Sequence, residues 1–174
     1  KTKGLDQQLI AFKNKVYFNA NEAQTGNEIW SSDGTEKGTY ILKDIQRGIE
    51  SSAPQWFTLV GSTLYFAADN YNEGNELWKT DGTDKGTLMV HDAYNGAHSS
   101  DPIAFKAYNN KLFFAADNGL HGLELWQSDG TAAGTSMVTD INKGELGSNP
   151  EDLTVCGSLL FFTANNGKQG LELW

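Results

Sequence analysis

Apolar residues fall in short runs separated by Gly, Asn and Asp, which is the spacing of strands and turns rather than of helices. In one stretch the runs are 56–60, 63–68, 76–79 and 87–91, and each predicts a β-strand. Gly61-Ser62 separates the first two. Lys13-Asn14, Asn109-Asn110 and Gly157-Ser158 stand at the matching points. Asn and Gly accept the positive φ of a two-residue hairpin turn, so a tight hairpin is expected at each. Leu64, Tyr65, Phe66, Ala67 and Ala68 are apolar at successive positions, hence on both faces of their strand, and the sheet is expected to be covered on both sides. Nowhere do apolar residues recur at i, i+3, i+4 and i+7 over a helical length, and no substantial helix is predicted.

The pattern repeats. Trp30, Trp78, Trp126 and Trp174 recur every 48 residues, and Glu28, Glu76, Glu124 and Glu172 keep the same interval. So do Gly26, Gly74, Gly122 and Gly170, and Phe18, Phe66, Phe114 and Phe162. Asp-Gly-Thr begins at Asp33, Asp81 and Asp129; Asp44, Asp92 and Asp140 share a column, as do Ser52, Ser100 and Ser148. No insertion or deletion interrupts the register. Trp56 is the one tryptophan outside the repeating column. Four strands per unit of this length predict the blades of a β-propeller rather than the shorter rungs of a β-solenoid. The expected units are 5–52, 53–100, 101–148 and an incomplete 149–174, with the first strand starting near Leu5. Fifteen strands make about 3.75 repeats in one repeat domain spanning 1–174. An incomplete ring leaves sheet faces open, so a larger ring of about seven or eight blades is expected, completed by the rest of its own propeller or by a partner chain.

Residues 76–87, Glu-Leu-Trp-Lys-Thr-Asp-Gly-Thr-Asp-Lys-Gly-Thr, resemble the Glu-Leu-Trp-x-x-Asp-Gly-Thr-x-x-Gly-Thr repeat of bacterial secreted and cell-surface proteins. Residues 124–135 match it in full, residues 28–39 depart only at Ile29, and the last copy stops at Trp174. The resemblance runs over essentially the whole chain. It implies export to the bacterial surface or beyond, often through type IX secretion. It brings neither a ligand nor catalytic residues.

Composition narrows the function. Lys and Arg number 13 against 22 Asp and Glu, a net charge of −9. That opposes a nucleic-acid binder, which needs a basic face, and charge-driven docking on an anionic membrane. No apolar run is long enough to span a bilayer. One cysteine, Cys156, excludes an internal disulfide and a multi-cysteine zinc site. Aligned with Phe12, Val60 and Tyr108, it is expected to be a buried filler. The sequence opens with neither Met nor a signal pattern and is expected to be a processed product or an internal piece of a longer chain.

The repeated columns read first as scaffold. Trp30, Trp78, Trp126 and Trp174 are expected to fill the gaps between blades rather than to form stacking platforms for sugars. Glu28, Glu76, Glu124 and Glu172, once buried, must be hydrogen-bonded, with backbone N–H or tryptophan indole groups as the expected donors. Asp33, Asp81 and Asp129 read as turn formers; a calcium loop there is the less favoured reading, because calcium wants about 6–8 oxygen ligands.

Binding is expected at the end of the sheets that carries the longer loops. Its candidates are Asn21, Glu22, Asp69, Asn70, Tyr71, Asp117 and Asn118, with Asp44, Asp92 and Asp140 beside them. No catalytic constellation, cofactor or metal is predicted: His91, His98 and His121 lie in different columns. The expected function is a non-catalytic scaffold for binding or adhesion, with a protein or glycan partner. The alternative is a carbohydrate-active enzyme, a hydrolase or lyase, of propeller fold.

Overall fold

The computed structural model describes residues 9–174, and the expected strand start near Leu5 lies outside them. Every regular element among these residues is a β-strand, and they form four separate antiparallel sheets. The first is β1 (Ile10–Phe12), β2 (Lys15–Glu22), β3 (Gly26–Ser32) and β4 (Tyr40–Lys43). The second is β5 (Gln55–Val60), β6 (Thr63–Asp69), β7 (Asn75–Thr80) and β8 (Leu88–His91). The third is β9 (Ile103–Tyr108), β10 (Lys111–Asp117), β11 (Leu123–Ser128) and β12 (Ser136–Thr139). The fourth has three strands, β13 (Glu151–Cys156), β14 (Leu159–Asn165) and β15 (Leu171–Leu173). In each sheet the spatial order follows the chain order, so every sheet is a meander.

The expected hairpins form. Lys13, Asn14, Asn109 and Asn110 all have positive φ, as do Gly61 and Gly157 at the first turn position. The third connection of each four-stranded sheet is the Asp-Gly-Thr hairpin. Asp81 Oδ1 accepts from Thr83 N at 2.9 Å and from the Thr83 hydroxyl at 2.7 Å. Gly86 N donates to the Thr83 hydroxyl at 3.0 Å, and the Thr80 and Thr87 hydroxyls share a bond of 2.8 Å. Asp33 and Asp129 build the same hairpin at the same distances. Gly82 sits at φ 92° beside the Tyr17 hydroxyl of the first sheet, where a Cβ would stand 2.7 Å from that oxygen. The turn therefore demands glycine twice over, for its dihedral and for its neighbour.

Successive sheets pack face to face. Tyr17, Ile29 and Leu42 of the first sheet meet Phe57, Leu64, Phe66, Ala68 and Trp78 of the second. Tyr65, Leu77 and Val90 on the opposite face of the second meet Leu112, Phe114, Ala116 and Trp126 of the third. β6 is accordingly buried from Leu64 through Ala68, as its unbroken apolar run predicts. Trp78 and Trp126 are buried between sheets, each against the phenylalanine of the neighbouring strand: Phe66 and Trp78 centroids lie 6.4 Å apart, Phe114 and Trp126 6.5 Å. The first strands β1, β5, β9 and β13 lie side by side in chain order. Among the described residues no sheet covers the outer faces of the first and fourth sheets.

Cys156 corrects the expectation of a buried filler: it is exposed, at the turn end of β13 in the fourth sheet. Its column is apolar where a next sheet covers it, as at Val60, and open where none does.

Two outcomes follow from this packing. Trp78→Ala is expected to cost about 3–5 kcal/mol in urea unfolding, with a smaller loss for Trp174→Ala, because Trp78 is buried and Trp174 is 43% exposed. Cys156 is expected to react with a thiol reagent in the folded protein without denaturant.

Candidate functional site

The long loops gather where the sequence places them, at the end bearing the β2–β3, β6–β7 and β10–β11 connections and the crossovers between sheets. What holds them is a buried glutamate. Glu76, on β7, is fully buried and accepts from Ala93 N at 3.0 Å, Ser100 N at 2.8 Å and the Ser100 hydroxyl at 2.6 Å. All three donors belong to the crossover from β8 to β9. Glu28 takes Ile45 N, Gln46 N, Ser52 N and the Ser52 hydroxyl in the same way. Glu124 takes Ile141 N, Asn142 N and the Ser148 hydroxyl. The expected backbone donors are present. The expected indole donor is not: the N–H of Trp30 goes to Ala20 O at 3.1 Å and that of Trp174 to Ala164 O at 3.1 Å, across the strand pair.

The serine carries the tie onward to the next sheet. Ser52 O accepts from Asp69 N at 2.9 Å, Ser100 O from Asp117 N at 2.9 Å, and Ser148 O from Asn165 N at 2.8 Å. One crossover thus joins the glutamate of its own sheet to the second strand of the following one. Gly74, at φ 72°, lies where the crossover passes, and a Cβ there would meet the His98 carbonyl.

Much of the predicted ligand face is spent on this framework. Asp69 Oδ1 accepts Tyr71 N at 2.6 Å and Asp117 Oδ1 accepts Gly119 N at 2.7 Å. Asn70 bonds Glu73 N at 3.0 Å, and Asn118 bonds Leu120 N and His121 N at 3.1 Å. These are Asx turns, in which the side chain shapes its own loop. Asn21 and Glu22 are exposed at the end of β2, with Glu22 accepting the Thr25 hydroxyl at 3.3 Å. Asp44, Asp92 and Asp140 sit half-buried in the crossovers, each with Oδ1 unpartnered. Asp92 Oδ2 accepts Gly96 N at 3.1 Å. Tyr71, 76% exposed, stands clear of its loop, as the exposed Asn21 does at the end of β2. Among the described residues no three His, Cys, Asp or Glu side chains converge as metal ligands.

A second concave surface was not anticipated from the sequence. Between β5, β9 and β13 lies a cleft of about 500 Å³ lined by Trp56, Phe105, Lys106, Glu151, Asp152 and Thr154, among others. Each of these three strands carries a bulge, the register shifting between Gln55 and Thr58, between Ile103 and Lys106, and between Glu151 and Thr154. The bulge residues Trp56, Ala104 and Asp152 have φ of 61°, 58° and 56°. A bulge re-aims its side chains. Trp56 lies over Phe105, with centroids 6.4 Å apart and planes 26° apart. The available signal was its departure from the repeating tryptophan column.

No family model and no curated protein matches the chain. Among solved structures it is similar to the crystal structure of the computationally designed Ika4 protein, with a TM-score of 0.51 and 16% identity over 100% of this chain and 94% of that one. At that identity the likeness is one of fold alone.

Burial pushes the carboxyl of Glu76 up from 4.5 to about 7, against the pull of the Ser100 hydroxyl and the Ala93 and Ser100 amides. Glu28 is raised for the same first cause, against Ser52, Ile45 and Gln46. A carboxyl raised by folding contributes stability that is full below its unfolded pKa and is lost as pH rises through the folded one. The exposed Asp33, Asp81 and Asp129 are lowered, first by the threonine hydroxyls at their turns, so they act oppositely and only at more acid pH. The urea midpoint is therefore expected to fall between about pH 5 and about pH 8, and Glu76→Gln to flatten that fall. A wild-type midpoint that rises over this range tells against the raised carboxyl.

Proposed function

We propose that this chain is a non-catalytic binding scaffold of a bacterial secreted or cell-surface protein, built as blades of a β-propeller and presenting its loops and first strands to a glycan or protein partner. The glutamate–serine tie is the observation that carries this reading. Three copies fix three crossovers with hydroxyl-to-carboxylate bonds of 2.5–2.6 Å, so whatever varies between copies is displayed from a fixed frame. Loops on a rigid scaffold are where binding residues ordinarily sit. Face-to-face sheets with adjacent first strands are the arrangement of propeller blades. The Glu-Leu-Trp-x-x-Asp-Gly-Thr repeat supports export and a surface location by resemblance. The net charge of −9 leaves nucleic acid an unfavoured partner.

The test is retention without turnover. The protein is applied to a glycan array and to immobilised surface proteins, and any ligand retained is then incubated with it and assayed for cleavage. Saturable retention of an unchanged ligand is the expected result. Cleavage of a retained glycan, lost on replacing one non-repeated acid, would overturn the reading in favour of an enzyme.

A further inference from the structure

The tryptophan that does not repeat sits in the cleft described above. Gap-filling residues recur in every unit, as Trp30, Trp78, Trp126 and Trp174 do. At the position of Trp56 the later units have Ala104 and Asp152, on backbone of nearly the same φ. The bulge therefore does not need an indole. Nor is the site favourable to one: a left-handed φ costs a non-glycine residue about 1–2 kcal/mol. The residue is 37% exposed rather than buried in a core. A large aromatic on strained backbone, partly open to solvent and present once, is poorly explained by packing.

Its surroundings define what would lie against it. The cleft, about 500 Å³, falls within the usual range of small-molecule sites, roughly 300–1,000 Å³. Trp56 and Phe105 offer apolar faces. Lys106 offers donors, Glu151 and Asp152 offer acceptors, and the Thr154 hydroxyl, which donates to Asp152 O at 2.9 Å, can still accept. A lipid would strand these polar groups. An anion would meet two carboxylates, and a simple cation would meet Lys106. A polyhydroxylated ring satisfies all of them, with C–H faces for the aromatics and hydroxyls that both donate and accept.

We propose that the cleft between β5, β9 and β13 is a saccharide-binding site for neutral sugars. Trp56 is its stacking platform, and Lys106, Glu151 and Asp152 hydrogen-bond the ring hydroxyls. This deepens the binding reading above by naming the site and the ligand class, and it moves the expected contact from the loop end to the first strands.

The probe is an array of neutral oligosaccharides, with affinity for retained sugars measured by calorimetry. Trp56→Ala is a mild change, since the same bulge already carries Ala104, and an unchanged melting temperature verifies its fold. Loss of affinity by about tenfold or more in Trp56→Ala, with partial recovery in Trp56→Phe and wild-type affinity in Tyr71→Ala, is the expected result. Sugar binding lost in Tyr71→Ala but kept in Trp56→Ala overturns the cleft and leaves the scaffold reading standing. Trp56-dependent binding of a quaternary ammonium compound but of no neutral sugar overturns the saccharide assignment. Retention of a protein and of no glycan overturns the proposal while preserving the scaffold, and retention of nothing overturns both.

Discussion

A carboxylate with no solvent access is the constraint on which the rest of the structure depends. Glu28, Glu76 and Glu124 are each fully buried, and a buried carboxylate is tolerable only when its lone pairs are satisfied. The crossover loop supplies the partners, and that obliges the loop to return over its own sheet before entering the next. In doing so it brings Ser52, Ser100 and Ser148 to the carboxylates, and their carbonyls to the amides of Asp69, Asp117 and Asn165. Loop path, sheet succession and the position of the long loops therefore share one cause. The apolar contacts between sheets are stronger in sum but non-directional. They favour stacking without fixing where along the stack each loop must lie.

This arrangement divides the residues of a unit into two kinds. The Glu, Ser and Gly of the clasp, the Asp-Gly-Thr hairpin and the interleaved tryptophan make contacts that every unit must make. Positions such as 56, 71 and 94 make contacts that only one unit makes, and their equivalents Ala104, Gly119 and Asn142 differ in size and chemistry. Tyr94 stacks on His98 at 4.7 Å, a pair that the other units lack. Ligand chemistry can change at such positions at little cost to the frame.

The fold was legible because its determinants are local and recur in phase. The runs 56–60, 63–68, 76–79 and 87–91 differ by a residue at most from β5–β8 at each end. The hairpin at Asp81 was readable as a turn formed by its aspartate, because an Asx turn involves only neighbours in sequence. The destination of Glu76 was half readable. Burial demanded donors, but which donors depended on where a distant loop returned: the crossover amides and the Ser100 hydroxyl take the carboxylate, and the Trp78 indole N–H has no hydrogen-bond partner. Cys156 was misplaced because its column was read as buried in every sheet, whereas exposure is set by what packs against each sheet and not by the column.

The candidate site was less legible than the frame, and for a physical reason. Sequence reasoning put binding at loops because loops vary, yet Asp69, Asn70, Asp117 and Asn118 vary little and are engaged in shaping their own turns. The cleft depends instead on bulges in three strands far apart in sequence, and bulge positions without glycine leave no mark in a hydrophobic pattern. A bulge at φ near 60° would ordinarily select glycine, and none of Trp56, Ala104 and Asp152 is glycine. The frame imposes that backbone at all three positions and so tolerates unlike side chains upon it. A site built there inherits its rigidity from the repeat and its identity from the residues that break it, which is why a single tryptophan out of register says more about recognition than four in register.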